Sequence, residues 1–148
     1  MPRRKYPLTR PGIPLTLAPM EARLVDDLPP PGAWQFEPKW DGFRCLAFRS
    51  GDQVKLRSKS GKSLSRFFPE VIANLAAVPE KHFVLDGELV IAVDGSLSFD
   101  ALQARLHPAT SRIQRLARET PARLVAFDCL MARGAPLLQE PFEERRAA

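Results

Sequence analysis

Cysteine is scarce in this chain. Its two cysteines, Cys45 and Cys129, each sit inside an apolar strand-like run, which supports neither a disulfide framework nor a thiolate metal site. They read as buried free thiols. Histidine is equally sparse, and His82 and His107 have no metal-ligand partner at a useful spacing. No apolar run approaches eighteen residues, and the opening Met-Pro-Arg-Arg-Lys-Tyr lacks the apolar centre of a secretory signal. A cytoplasmic protein without a membrane segment is therefore expected. Internal repeats are also lacking. The 148 residues suffice for one hydrophobic core and are too few for two ordinary domains with linkers. The net charge of +5 permits a polyanionic partner without requiring one.

Proline is abundant, and unevenly so. Nine of the fifteen prolines fall in the first 38 residues, which excludes helix there and predicts an extended strap leading into the first strand. Arg3, Arg4, Lys5 and Arg10 are expected to form a solvated basic tail, and the apolar residues of the stretch 19–24 to pack on the main body. Alternation then predicts strands at 34–38, 43–49 and 53–58, the last two joined by a Ser50-Gly51-Asp52 turn. Helical spacing covers 69–77. A strongly apolar strand follows at 83–92, whose period of two places Asp86 and Glu88 on one face and Phe83, Leu85, Leu89 and Ile91 on the other. Two carboxylates on a buried strand require cations or hydrogen-bond donors. Asp94-Gly95 signals a two-residue hairpin, and helices are expected at 99–106 and 109–119. In the second helix Ile113, Leu116 and Ala117 should pack while Arg112, Arg115 and Arg118 form an outer stripe. A last strand at 122–131 would put Val125, Phe127 and Cys129 on one face, before an Arg133-Gly134 turn and a helix beginning at Pro141.

The stretch with the clearest chemical content is Glu37-Pro-Lys-Trp-Asp-Gly-Phe-Arg44. Its Lys-x-Asp-Gly-x-Arg pattern arises by chance at about one in 10⁵ starting positions at ordinary residue usage. Lys39 is the candidate nucleophile. An ordinary lysine amine is almost wholly protonated at neutral pH and attacks phosphorus or carbonyl carbon only when neutral, so burial or a nearby cation such as Arg44 is expected around it. Asp41 could hold either cation, and Gly42 would let the backbone come close to a ligand. Farther on, Arg57, Lys59, Lys62 and Arg66 crowd a loop rich in Ser and Gly, a composition suited to phosphate.

From about Met20 onward the sequence resembles the nucleotidyltransferases that work through a lysine: ATP-dependent DNA ligases, RNA ligases and messenger RNA capping enzymes. The resemblance rests on Glu37 to Arg44, Ser58-Lys-Ser-Gly61, Leu85-Asp-Gly-Glu88 and Phe127-Asp128, in the family's order. It is strongest to bacterial ATP-dependent ligases associated with end joining. It implies an α+β fold of mainly antiparallel sheets with peripheral helices, an incomplete ATP-grasp-like nucleotidyltransferase domain of DNA ligases. Residues 1–33 would be the Pro-rich extended segment and 34–148 the N-terminal portion of the adenylation domain. The resemblance further implies that Lys39 attacks the α-phosphate of ATP, carries AMP as a phosphoramidate, and passes it to a 5′-phosphate of nicked or broken duplex DNA. Glu37 would lie near the adenine amino edge, Arg44 and Glu88 on ribose or phosphate, Phe127 on the base, and Glu88 would also help hold Mg²⁺. Lys59 and Lys62 would contact nucleic acid, Lys59 standing where the family motif carries arginine. End-joining proteins are candidate partners. A later Glu-Gly strand, a Lys-x-Lys strand and an oligonucleotide-binding domain belong to the family pattern and do not occur in these 148 residues. An excerpt or a truncated product is therefore expected, poor at sealing alone. RNA ligation, a capping-type transfer, or a non-catalytic nucleic-acid-binding remnant are the alternatives.

Overall fold

The computed structural model describes residues 12–148, so the expected basic tail with Arg3, Arg4, Lys5 and Arg10 lies outside the described residues. Strands β1 (Phe43–Ser50) and β2 (Gln53–Ser58) form the first hairpin. A short 3-10 turn (Ser65–Phe67) leads into α1 (Pro69–Ala76), which opens with proline in its first turn and Glu70 beside it, where a missing N–H and a negative charge are both favoured. Then come β3 (His82–Val90), the two-residue strands β4 (Ala92–Val93) and β5 (Ser96–Leu97), α2 (Phe99–Gln103) and α3 (Thr110–Glu119). The chain continues through β6 (Arg123–Ala132), β7 (Ala135–Pro136) and α4 (Phe142–Ala147). No helix among the described residues is long and apolar enough to cross a membrane.

Five strands make one sheet in the order β2-β1-β3-β6-β7, every pair antiparallel. Three hairpins turn in two residues, and two of them show the paired positive φ values of a type I′ turn: Asp94 and Gly95 have φ of 50° and 81°, Arg133 and Gly134 of 50° and 75°, whereas in the β1–β2 turn only Gly51 is positive, at 61°.

Directly opposed residues in an antiparallel pair point to the same side, so the register assigns the faces. On one side lie Cys45, Ala47, Leu56, Phe83 and Leu89, covered by Phe68, Val71 and Leu75 from around α1 and by Leu102 of α2. On the other side Leu46, Phe48, Val84 and Met131 are sealed by Ile13 and Leu15 of the strap. The end of that side toward the start of β1 carries charges of both signs, with Arg44 opposite Glu88 and both Arg57 and Asp86 opposite Leu46, while Lys55 stands opposite Phe48.

Three expectations are corrected. Residues 34–38 form no strand, and Trp34 and Phe36 are exposed, because no neighbouring strand offers hydrogen-bond partners and Pro38 has no N–H to give. Of the apolar residues in the stretch 19–24 only Pro19 is buried: Met20 and Leu24 are 71% and 94% exposed, and the stretch is tied down by polar contacts instead, the Met20 carbonyl to Arg44 and the Glu21 carboxylate to Lys59. Finally, Val125, Phe127 and Cys129 do not share a face. Val125 lies opposite Glu88 and Cys129 opposite Leu85, because β6 slips register between Asp86↔Asp128 and Gly87↔Ala126, leaving Phe127 as the extra residue. A bulge of this kind re-aims the side chain it carries.

Expected helix 99–106 ends as α2 at Gln103. Ser98 caps it by accepting from Ala101 N–H at 3.2 Å. His107 precedes Pro108, a position biased away from helical backbone, and the chain leaves the helix through Arg105, which is buried.

Candidate active site

Lys39 sits just ahead of β1, in coil, with its side chain 90% exposed. Its Nζ donates to Asp41 Oδ1 at 3.1 Å. The expectation that burial or a guanidinium would crowd the amine is corrected by this geometry: its neighbour is an acid, and that pair must open before the amine can face an electrophile. Gly42 next along the chain is required for a different reason from the one its sequence suggested. A Cβ there would run into the carbonyl oxygen of Leu89, so the glycine lets the start of β1 press against β3.

Arg44, the first polar side chain of β1, is held by Asp86 through two parallel bonds, Nε to Oδ1 at 2.7 Å and Nη2 to Oδ2 at 2.6 Å. Nη2 also donates to Met20 O at 2.8 Å, drawing the strap across the site. The fork fixes the guanidinium plane, and its carbon lies 4.9 Å from the centre of the Phe127 ring. The bulge in β6 thus brings Phe127 to the site. The bond to Asp86 raises the Arg44 pKa against the opposing effect of burial.

Glu88 stands opposite Arg44 across the β1–β3 ladder. Burial pushes its carboxyl pKa up, while the Gly42 N–H and the charges of Arg44 and Lys39 pull it back. Its Oε2 is buried and has no hydrogen-bond partner among the described residues. An orphaned carboxylate oxygen beside an arginine is an acceptor held ready for a ligand donor or a cation. Among the described residues no group of three or more His, Cys, Asp or Glu is placed to hold a metal ion. A single free carboxylate oxygen does suit Mg²⁺, which keeps most of its waters and takes further ligands from substrate phosphates.

Arg44, Glu88 and Phe127 are thereby brought together, Glu88 across the ladder and Phe127 against the guanidinium, with Lys39 near enough for its charge to act on Glu88. Lys59 and Lys62 join them across an open cleft of about 830 Å³, lined also by Arg44, Glu88, Phe67 and Leu106. Lys59 Nζ lies 3.3 Å from Glu21 Oε1. Glu37 is near enough for its charge to act on Arg44, but its carboxylate receives Arg146 Nη1 of α4 at 3.2 Å. Asp128 is taken by the neighbouring Arg145, through bonds of 2.8 and 2.9 Å. The sequence showed that Asp86 needed a cation, yet neither its pairing with Arg44 nor the roles of Met20 and Arg145 was legible.

Superposition places the sheet and its loops in the nucleotidyltransferase fold of DNA ligases. The structure aligns with the ligase domain of Mycobacterium tuberculosis LigD at a TM-score of 0.58 and 34% identity, over 75% of this chain and 34% of that one. A mycobacterial DNA ligase D complexed with ATP and MES aligns at 0.55 and 32% identity, over 75% of this chain and 34% of the other. The chain belongs to the ATP-dependent DNA ligase domain family, whose profile matches residues 19–148. DNA ligase C of Mycobacterium tuberculosis is 47% identical over 89% of this chain. The chain spans 36% of the length of that relative.

Proposed function

We propose that this chain carries the nucleotide-binding and nucleophilic part of an ATP-dependent DNA ligase that acts in the cytoplasm on nicked or broken duplex DNA. The observation that carries the reading is the cleft onto which Arg44 and the orphaned Glu88 open, with the Phe127 ring 4.9 Å from the Arg44 guanidinium carbon and Lys39 in the loop that leads into β1. Lys39 Nζ, released from Asp41 and neutral, would attack the α-phosphorus of ATP. The new N–P bond forms as the bond to the bridging oxygen breaks, pyrophosphate leaves with that electron pair, and the amine proton passes to solvent. AMP then remains on the lysine until a DNA 5′-phosphate takes it.

Each neighbour has a part that follows from its geometry. Phe127 offers an aromatic face to the adenine, and Arg44, its plane fixed by Asp86, offers its remaining N–H groups to ribose or phosphate. The free oxygen of Glu88 would accept from a ribose hydroxyl or help hold Mg²⁺, which when bound neutralises triphosphate charge and favours loss of pyrophosphate. Glu37 would meet the adenine amino edge after giving up Arg146. Lys59 and Lys62, across the cleft, would hold the phosphates of the DNA strand.

Incubation with Mg²⁺ and ATP labelled at the α-phosphate tests this, using the chain itself and DNA ligase C in which residues 19–148 replace the matching segment. A label that is acid-labile, base-stable and lost in Lys39→Ala is expected in the chimaera. Undiminished labelling of the Lys39→Ala chimaera would remove the lysine from the chemistry. Substituting GTP, which should label poorly, separates the ligase reading from a capping-type transfer.

A further inference from the structure

Two strongly basic segments among the described residues contain no aspartate or glutamate. Residues 56–69 carry Arg57, Lys59, Lys62 and Arg66, and residues 101–118 carry Arg105, Arg112, Arg115 and Arg118. They lie far apart in sequence, and the fold brings them side by side. Arg66 Nη2 donates to Pro108 O at 2.7 Å, one residue before the cap of α3, and Arg105 Nη1 donates to Phe67 O at 3.1 Å. Leu106 lines the same cleft as Lys59 and Lys62. Arg105 itself is consumed in the interior by Glu70. The rest of the α3 arginines are on the surface, since Arg112, Arg115 and Arg118 are exposed while Ile113 between them is buried. Among these three, only Arg115 meets an acid, Glu119, at 3.6 Å.

An amphipathic helix needs polar residues on its outer face, and a mixture of both signs serves that need best. Three cations at intervals of three residues, abutting a loop of the same sign, instead make one continuous positive field. Along α3 the arginines rise about 4.5 Å per step, comparable to the axial spacing of about 3.4 Å between successive phosphates of one DNA strand. We infer that α3 extends the nucleic-acid interface beyond the cleft, with Arg66, Arg112, Arg115 and Arg118 tracking the phosphate backbone of duplex DNA along from Lys59 and Lys62. The proposal rests on the ligase reading above and adds to it a second, sequence-independent contact surface. These contacts position the duplex and read no bases.

Binding of the chain to a fluorescent nicked duplex is measured by anisotropy over a series of salt concentrations. Each neutralised phosphate contributes about 0.9 to the slope of log affinity against log salt. Combined Arg112→Gln, Arg115→Gln and Arg118→Gln should lower that slope by roughly 2 to 3 and weaken binding at low salt on the order of tenfold or more. The charge-matched control Lys55→Gln, Lys81→Gln and Arg133→Gln places the same loss elsewhere and should change the slope far less. Thermal melts confirm that each variant folds. Equal slopes for the two triple variants would reduce the effect to net charge and overturn the α3 surface. If Lys59→Ala with Lys62→Ala weakens binding while the α3 variant binds as the parent does, the cleft reading survives and the extension falls. Absence of any duplex binding by the parent chain at low salt overturns both.

Discussion

Two arginine–carboxylate pairs sit on opposite sides of the sheet, and they put the same chemistry to opposite uses. Arg105 is wholly buried, and its guanidinium reaches Glu70 at 2.5 and 3.3 Å, Phe67 O at 3.1 Å, Leu116 O at 3.3 Å and Thr120 O at 2.8 Å. It lies 5.5 Å from the Phe68 ring, and Glu70 in turn accepts from Ala122 N–H at 2.8 Å. This pair closes the carbonyl ends of α3 and locks α1 to the approach to β6. Arg44 and Asp86 form a similar fork, but its arginine side chain is 21% exposed and opens on the cleft. A guanidinium with both Nη groups engaged in the interior welds elements together, even though the Arg105 Nε has no partner among the described residues. One with N–H groups and a face to spare can meet a ligand.

The largest effect should come from breaking the interior pair. Glu70→Ala leaves a buried guanidinium without its counter-charge and strips Ala122 of its acceptor, so a loss of about 3 to 5 kcal/mol is expected in urea unfolding. Retained stability would mean that the backbone carbonyls alone suffice. Asp86→Ala, the equivalent cut on the other side, should cost about 1 to 3 kcal/mol, because Arg44 can turn its freed N–H groups toward water in the cleft. The same variant should weaken ATP binding, measured calorimetrically, since the plane of Arg44 against Phe127 is then no longer fixed. Equal stability losses in the two variants would erase the distinction between weld and site.

How far the sequence revealed each region follows from this contrast. Strands at 43–49, 53–58 and 83–92 were legible because alternation reports which face a residue occupies, and it placed Asp86 and Glu88 together on the charged side. Periodicity carries no register between strands, however, so the partner of Asp86, 42 residues away in Arg44, was not to be read. The bulge that lifts Phe127 out of alternation was hidden for the same reason, and although the motif marked Lys39 as a candidate nucleophile, its attack on the α-phosphate of ATP came only through family resemblance. The Arg105–Glu70 pair left even less trace. An arginine near the end of a short helix reads as solvated, and only the packing of α1 against α3 buries it. The strand expected at 34–38 failed in the reverse sense: its alternation was real, but nothing lies alongside to pair with it.

Glu88 sharpens the comparison by a smaller amount. Its folded pKa is raised above the ordinary carboxylate value of about 4.3, so the folded state binds the proton more tightly than the unfolded state does. Stability from this group is therefore greatest at low pH, falls as pH rises from the unfolded toward the folded pKa, and stays reduced above it. Glu88→Gln should remove that penalty and stabilise the protein at neutral pH, by on the order of half a kcal/mol because the carboxylate is partly solvated. The gain should vanish below about pH 4. A gain independent of pH would assign it to packing, and a loss at neutral pH would show that Arg44 and Lys39 outweigh burial.

The smallest effect on the fold is expected at the proposed nucleophile. Lys39 and Asp41 are 90% and 77% exposed, and an ion pair so placed contributes little, because water screens the charges and two flexible side chains must be held still. Lys39→Ala should then shift unfolding by no more than about 0.5 kcal/mol in either direction. Among the described residues no backbone carbonyl accepts from the amine, and the glycine that seats this loop against β3 is left intact. The same substitution should abolish the labelled AMP adduct in the chimaera, since no other side chain replaces the amine. Stability and adduct formation thus separate at Lys39, whereas at Glu70 any loss of adduct should follow the loss of fold. A melt of Lys39→Ala displaced as far as that of Glu70→Ala would place the lysine among the welds, and its exposure in the structure would be the feature to discard.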